Sequence, residues 1–271
     1  MEAARLQLAS RRQIPEAAAP ADRVYGRRLR SAALERRPTG LIMELLDEHV
    51  GSDATVIDVG AGPGRYTIPL AEMARAVIAV EPSPIMTGYL RESLTAKGIS
   101  NVSIVPRRWE DAEVPMADFV VCSHVLYNVS DIGEFLLKLD AHAQRGCFIV
   151  HHRQQFDYLA GALWPLVYGE PLAPPPVFAS LLDVLSELSI GEFRTGVMPA
   201  FARMTFEDAE EAVDYCLERL ALMDTEDNRA LLRPALAELL ERVDDRVGIP
   251  PQPPSGVVWW LKGRDDADQA T

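Results

Sequence analysis

The run Asp58-Val59-Gly60-Ala61-Gly62-Pro63-Gly64 puts a carboxylate two residues ahead of three alternating glycines. Glycine accepts positive φ and lets a main chain approach a ligand closely. Apolar residues precede this run and a helical pattern follows it, so the unpaired N–H groups of a helix start would face that ligand. A second acid, Glu81, stands 17 residues beyond Gly64, at the end of another apolar run. A carboxylate at the tip of a second strand suits hydrogen bonds to both hydroxyls of a ribose. Two ligand classes use this layout. A dinucleotide site wants Gly or Ala five positions after its first glycine, and here that position is Arg65, whose long side chain would obstruct close strand–helix packing. Asp58 would also meet a ligand that carries positive charge better than a diphosphate. Both features favour S-adenosylmethionine, with its ammonium and sulfonium, over a nicotinamide dinucleotide.

Methyl transfer from a sulfonium is an in-line displacement. The nucleophile must come within about 3 Å of the methyl carbon, water must be excluded, and some acceptors need a base. His124 follows an apolar run that reads as a fourth strand, and Tyr127 lies three residues on. His151 and His152 close a fifth apolar run and are followed by Arg153. As neutral imidazoles, His124 and His151 could take a proton from a hydroxyl or an amine, and Tyr127 could hydrogen-bond the acceptor. Each could equally shape the pocket wall. Consecutive residues on a strand point opposite ways, so His151 and His152 cannot share a ligand face and no metal is expected. Cys122, Cys147 and Cys216 are too few and too scattered for a disulfide framework or zinc site.

The elements that must position these groups follow from periodicity. Short apolar runs at 55–59, 77–80, 102–105, 117–123 and 147–151 read as strands, and 66–76, 84–97 and 132–143 as helices. Alternation of this kind predicts an α/β fold with a parallel sheet covered on both faces. Beyond it come helices at 160–168 and 178–188, a Pro-rich loop at 171–176 and a strand at 193–198. A helix at 205–219 is expected with Thr205 as N-cap and Asp208 three residues on, then a helix at 228–243 and a final strand at 257–261. Residues 205–246 hold thirteen acids against five bases, and residues 1–37 hold nine Arg against four acids. The expected organisation is an N-terminal helical extension (1–40), a core (41–204), a helical cap insertion (205–250), and the last strand with a disordered tail (251–271).

With these residues in place, the chain resembles the class I S-adenosylmethionine-dependent methyltransferases over about 40–200 and again near 257–261. The resemblance implies a Rossmann-like, seven-stranded, mostly parallel sheet with helices on both faces. It implies that Gly60, Ala61, Gly62 and Gly64 hold the methionine portion, with Asp58 beneath. Glu81 matches the ribose position, and Pro82, Ser83, Ile85 and Met86 the segment flanking adenine. In Arg108-Trp109-Glu110-Asp111-Ala112, Asp111 matches the acid that accepts from the adenine amino group, with Trp109 stacking or lining the pocket beside Glu110. Ser123 and the following His124-Val125-Leu126-Tyr127 match the segment lining the methyl-transfer site. That segment lacks the Asn/Asp-Pro-Pro-Tyr/Phe run used on planar nitrogens, which argues against the DNA- and glutamine-modifying branches.

The net charge of −13 also argues against nucleic-acid and anionic-membrane partners, since phosphate contacts need Lys and Arg. No apolar run approaches the ~20 residues of a membrane span, and the N-terminus lacks an apolar secretory segment. A cytoplasmic methyltransferase for a small-molecule acceptor, with O- or N-methylation, is the expectation. Trp164, Tyr168, Phe178, Phe201 and Phe206 would line an apolar site under the cap or pack the cap onto the core. A homodimer could form through the extension and cap. Three alternatives stay open: a non-catalytic S-adenosylmethionine- or nucleoside-binding module, an rRNA or tRNA methyltransferase, and a nicotinamide oxidoreductase.

Overall fold

The computed structural model describes residues 38–153, 158–174, 176–188, 190–199, 203–251 and 253–263. The expected basic extension, apart from its last three residues, lies outside them, as do Phe201 and the tail.

Helix α1 (Leu41–His49) leads into β1 (Thr55–Val59), α2 (Thr67–Met73), β2 (Ala76–Val80), α3 (Pro84–Lys97), β3 (Val102–Val105) and β4 (Ala117–Ser123). Then come α4 (Ile132–His142), β5 (Ala143–His152), α5 (Tyr158–Tyr168), α6 (Phe178–Glu187) and β6 (Arg194–Met198). Local chemistry sets the boundaries. The Ser83 side chain accepts from Met86 N–H at the start of α3, Pro84 follows as a first helical residue without a donor to lose, and Gly98 stops the helix at φ 66°. Asp131 caps α4 by accepting from Glu134 N–H.

With β10 (Ser255–Leu261), the last strand of the chain's described residues, one sheet of seven strands runs in the order β3-β2-β1-β4-β5-β10-β6. The strands from β1 to β5 pair in parallel, while β10 runs antiparallel between β5 and β6. The strand order reverses between β1 and β4, and the carboxyl ends beside that point are where such sheets bind ligands. One face packs on α4 and α6 through Leu136, Leu139, Leu181 and Leu185. The other packs on α1 and α2 through Ile42, Leu46 and Leu70. Continuous burial along β4 and β5 is what a two-faced parallel sheet demands.

The segment after β6 differs from the sequence expectation in two ways. Thr205 does not cap a helix. It lies in a short strand, β7 (Thr205–Phe206), and Asp208 is the cap of α7 (Ala209–Arg219), accepting from Glu211 N–H. Glu211 reaches back to Glu207 N–H, one residue ahead of that cap. Helix α8 starts at Glu226, capped by Thr225, and ends at Leu239. Strands β8 (Glu241–Val243) and β9 (Arg246–Gly248) follow as a hairpin. Its two-residue turn has Asp244 at φ 55°, a conformation that Asp tolerates. The cap layer also reaches beyond 205–250. Leu163 and Trp164 of α5 share a core with Phe206, Val213, Leu217 and Leu236. No helix of the described residues is long and apolar enough to cross a membrane.

Candidate functional site

Asp58, the fourth residue of β1, is buried, and its Oδ2 accepts from Thr67 Oγ1 at 2.6 Å. Burial, helped by the neighbouring Glu81 charge, lifts its carboxyl to about 7 against the pull of the Thr67 hydrogen bond. No ion pair to Asp58 forms among the described residues.

The turn after β1 wraps toward Glu81. Gly60 N–H and Ala61 N–H both donate to Val80 O, at 2.8 and 3.2 Å. Glu81 is also buried, and each carboxylate oxygen accepts one main-chain N–H: Gly62 to Oε2 at 2.9 Å and Ser83 to Oε1 at 2.8 Å. The carboxylate is therefore fixed in orientation. Gly60 lies at φ 72°, and a Cβ there would collide with the Val125 side chain beyond β4. At Gly62, φ 55°, a Cβ would meet nothing nearer than Gly60 O at 4.0 Å. The space beside Gly62 is open to a ligand. Two buried carboxylates at that opening suit a group with cationic and hydroxyl parts, so these residues fit S-adenosylmethionine.

Across the turn, β4 and β5 bring four rings together. His124 stands at φ 60°, with its N–H on Val150 O at 2.9 Å. Its Nδ1 lies 2.8 Å from Tyr127 Oη, which also accepts His152 N–H at 3.0 Å. The His124 and His152 ring centroids are 4.2 Å apart, and those of Tyr127 and His151 4.5 Å. His151 Nδ1 lies 2.9 Å from the His152 carbonyl oxygen. A carbonyl only accepts, so Nδ1 carries the proton and Nε2 of the neutral ring holds a lone pair. Burial depresses all three imidazoles. His152 falls to about 3, with the His151 charge adding to burial. His124 falls well below its ordinary value through burial and the charges of His152, Arg65 and His151. His151 falls through burial, against its hydrogen bond to His152. All three rings are neutral at pH 7.

Contrary to simple alternation, His151 and His152 both reach Tyr127, because Tyr127 lies on a 3-10 turn (Leu126–Asn128) folded over the strand ends. Ser123 ends β4 beside Tyr66, whose buried hydroxyl is raised by desolvation and lowered by Arg65 and Ser123. Sequence reasoning missed Tyr66 and also Thr67, the partner of Asp58. Each follows the glycine turn as an ordinary first-turn helical residue, and nothing in its spacing marks it.

The adenine-side candidates separate. Met86 is buried in α3 and Pro82 is exposed. Trp109 is buried against Phe135 and His142 of α4, at centroid distances of 6.4 and 5.1 Å, so its ring seats the turn in the core. Glu110 is exposed and paired with Arg108 at 2.9 Å. Asp111 lines a cavity of about 370 Å³ with Val105, Arg107 and Glu113. Val105 O accepts Glu81 N–H at 3.1 Å, which sets that cavity beside the Glu81 strand tip. Trp164 and Phe206 are buried within the cap core, and Phe178 packs in the core between sheet and α6.

Residues 56–146 match the family described as "Methyltransferase domain". An uncharacterized protein of Haemophilus influenzae is 26% identical over 194 residues, covering 68% of this chain and 70% of that protein. Ribosomal RNA small subunit methyltransferase A of Paenarthrobacter aurescens is 30% identical over 127 residues, 45% of this chain and 43% of that protein. The chain spans less than half the length of that enzyme. Among solved structures, a Bacillus halodurans protein provisionally assigned as a methyltransferase superposes with a TM-score of 0.55 at 15% identity. That superposition covers 82% of this chain and 99% of the other and shows a shared fold.

Proposed function

We propose that this chain, whose residues 56–146 match a methyltransferase domain, is an S-adenosylmethionine-dependent enzyme that methylates a small-molecule acceptor at oxygen or nitrogen. One observation carries the reading. The open glycine turn and two buried carboxylates meet a wall of neutral imidazoles and one phenol at the reversal point of the sheet.

The residues divide the work. Gly60, Ala61, Gly62 and Gly64 offer main chain to the methionine portion, with Asp58 supplying negative charge below it. Glu81, held in orientation by its two main-chain donors, takes the ribose hydroxyls. Pro82, Met86, Glu110 and Asp111 border the adenine, Trp109 anchors that border, and Ser123 faces the methionine end. S-adenosylmethionine, when bound, supplies a methyl group on a cationic sulfur. Tyr127, held between His124 and the His152 amide, orients the acceptor. His151 Nε2 receives the acceptor's proton, and His124 closes the wall. Uncharged imidazoles suit this place, because an imidazolium would repel a sulfonium.

The acceptor class rests on charge. A chain at −13 has little to offer a phosphate backbone. Its match to the ribosomal RNA enzyme covers under half of either chain. That match keeps ribosomal RNA as the second reading. Calorimetry with S-adenosylmethionine and with NADH is the first test; binding of NADH alone overturns the proposal. Release of S-adenosylhomocysteine from a metabolite extract supports a small acceptor. Release with ribosomal RNA only supports the second reading, and cofactor binding without turnover on either makes the chain a binding module.

A further inference from the structure

We propose that Lys138 is the positioning residue for adenine selectivity, holding the turn that carries Asp111. The proposal rests on the reading of Asp111 as the acceptor for the adenine amino group. The turn Trp109–Asp111 is one short 3-10 segment without a side-chain cap, and Arg107, Arg108, Glu110, Asp111 and Glu113 around it are all exposed. The buried Trp109 ring is what seats this segment from its own side, and a ring fixes the backbone of so short a turn only loosely. Lys138 reaches it from α4. Its Nζ donates to Trp109 O at 2.8 Å, Glu110 O at 3.1 Å and Ala112 O at 2.8 Å. An ammonium has three donors, and here three carbonyls of one turn take them. The same Nζ lies 5.0 Å from the centroid of the Trp109 ring. Charged hydrogen bonds are the strong ones, so these three carbonyls are drawn toward α4. Asp111 is left to line the cavity beside Val105. Lys138 touches neither of the two carboxylates nor the imidazole wall, so it acts through the turn alone.

The test is the ratio of affinities for S-adenosylhomocysteine and S-inosylhomocysteine, in which a carbonyl replaces the adenine amino group. Calorimetry on the full chain reads both. The wild type should prefer the adenosyl ligand by about 10- to 100-fold, as expected for one hydrogen bond to a charged acceptor. Asp111→Ala should abolish the preference. Lys138→Met, which keeps the stem over Trp109, should reduce it to within about threefold, with the inosyl affinity changed less than twofold. A Lys138→Met protein that weakens both ligands equally, or keeps its preference, overturns the proposal while Asp111 stands. An Asp111→Ala protein that keeps its preference overturns the Asp111 reading and the proposal with it. If Lys138→Met does not fold, Lys138→Arg reads the same ratio. Its planar fork keeps the charge but cannot converge on three carbonyls, so an unchanged preference there also overturns the proposal.

Discussion

Asp58 is a carboxyl whose charge is set by what lies above it. With its carboxyl raised to about 7 by burial, it is largely protonated at pH 6 when no ligand is present. A cation bound at the glycine turn should ionise it. Binding of S-adenosylmethionine at pH 6 should release close to one proton, and affinity should fall about tenfold per unit below that pH. Calorimetry in buffers of different ionisation enthalpy reads the proton directly; Asp58→Asn should release none. Glu81 behaves differently because two main-chain donors already hold its charge in place. Glu81→Ala should weaken cofactor binding by about 1–3 kcal/mol, through loss of charge-assisted hydrogen bonds. Unchanged affinity would remove it from the site.

The turn between β1 and α2 works because it is bare. Gly60→Ala must place a Cβ against Val125 and hold φ near 72°. Strain of this kind costs about 1–3 kcal/mol, and the Val125 loop would be pushed from the β4 end. Urea unfolding should register that loss, with cofactor affinity falling as well; an unaltered protein would mean that the loop yields freely. This turn and the five parallel strands were legible in the sequence, since alternating glycines after an apolar run have few other uses and the helix stops carry local signals, as at Gly98. Less legible was everything set by distant contacts. Thr205 looks like a cap because Asp208 follows it, yet pairing with Gly248 draws it into a strand. The hairpin around Asp244 hid within a helical period. Trp109 reads as a pocket aromatic by position, and only the packing of α4 shows that it is core. His151 and His152 read as pointing opposite ways until Tyr127 folds over both.

Across the whole molecule, two kinds of buried group oppose each other on acidification. Asp58 has a folded value above its unfolded one. Its contribution to stability is complete below 3.8 and is lost as pH rises through about 7. The imidazoles have folded values below 6.5, so theirs is complete above 6.5 and is lost as pH falls, toward about 3 for His152. Three imidazoles outnumber one carboxyl, while Asp118, lowered by its bonds to Thr55 and the Arg145 charge despite partial burial, adds to the loss only below 3.8. Stability should therefore drop from pH 7 to pH 4, and more steeply in Asp58→Asn. Urea midpoints across that range check it, and a protein that gains stability on acidification would contradict neutral imidazoles. Ligand linkage gives a second whole-molecule prediction. S-adenosylhomocysteine at 100 times its Kd should add about 2.7 kcal/mol, raising Tm by about 5–10 °C; NADH at the same concentration should leave Tm unchanged.

Strand β10 has a consequence for how the chain comes off the ribosome. All seven of its residues pair with β5 on one side, and Ser255–Trp259 pair with β6 on the other, yet they are made after both. β5 has an unpaired edge from the time it is made, and β6 joins it while residues 199–254 are being translated; open edges invite pairing with other chains. The sheet is then completed by a late insertion, and contacts so distant in sequence form slowly. Trp259 and Trp260 ride on that strand and are buried when it docks, so their fluorescence marks the moment at which these two edges are covered.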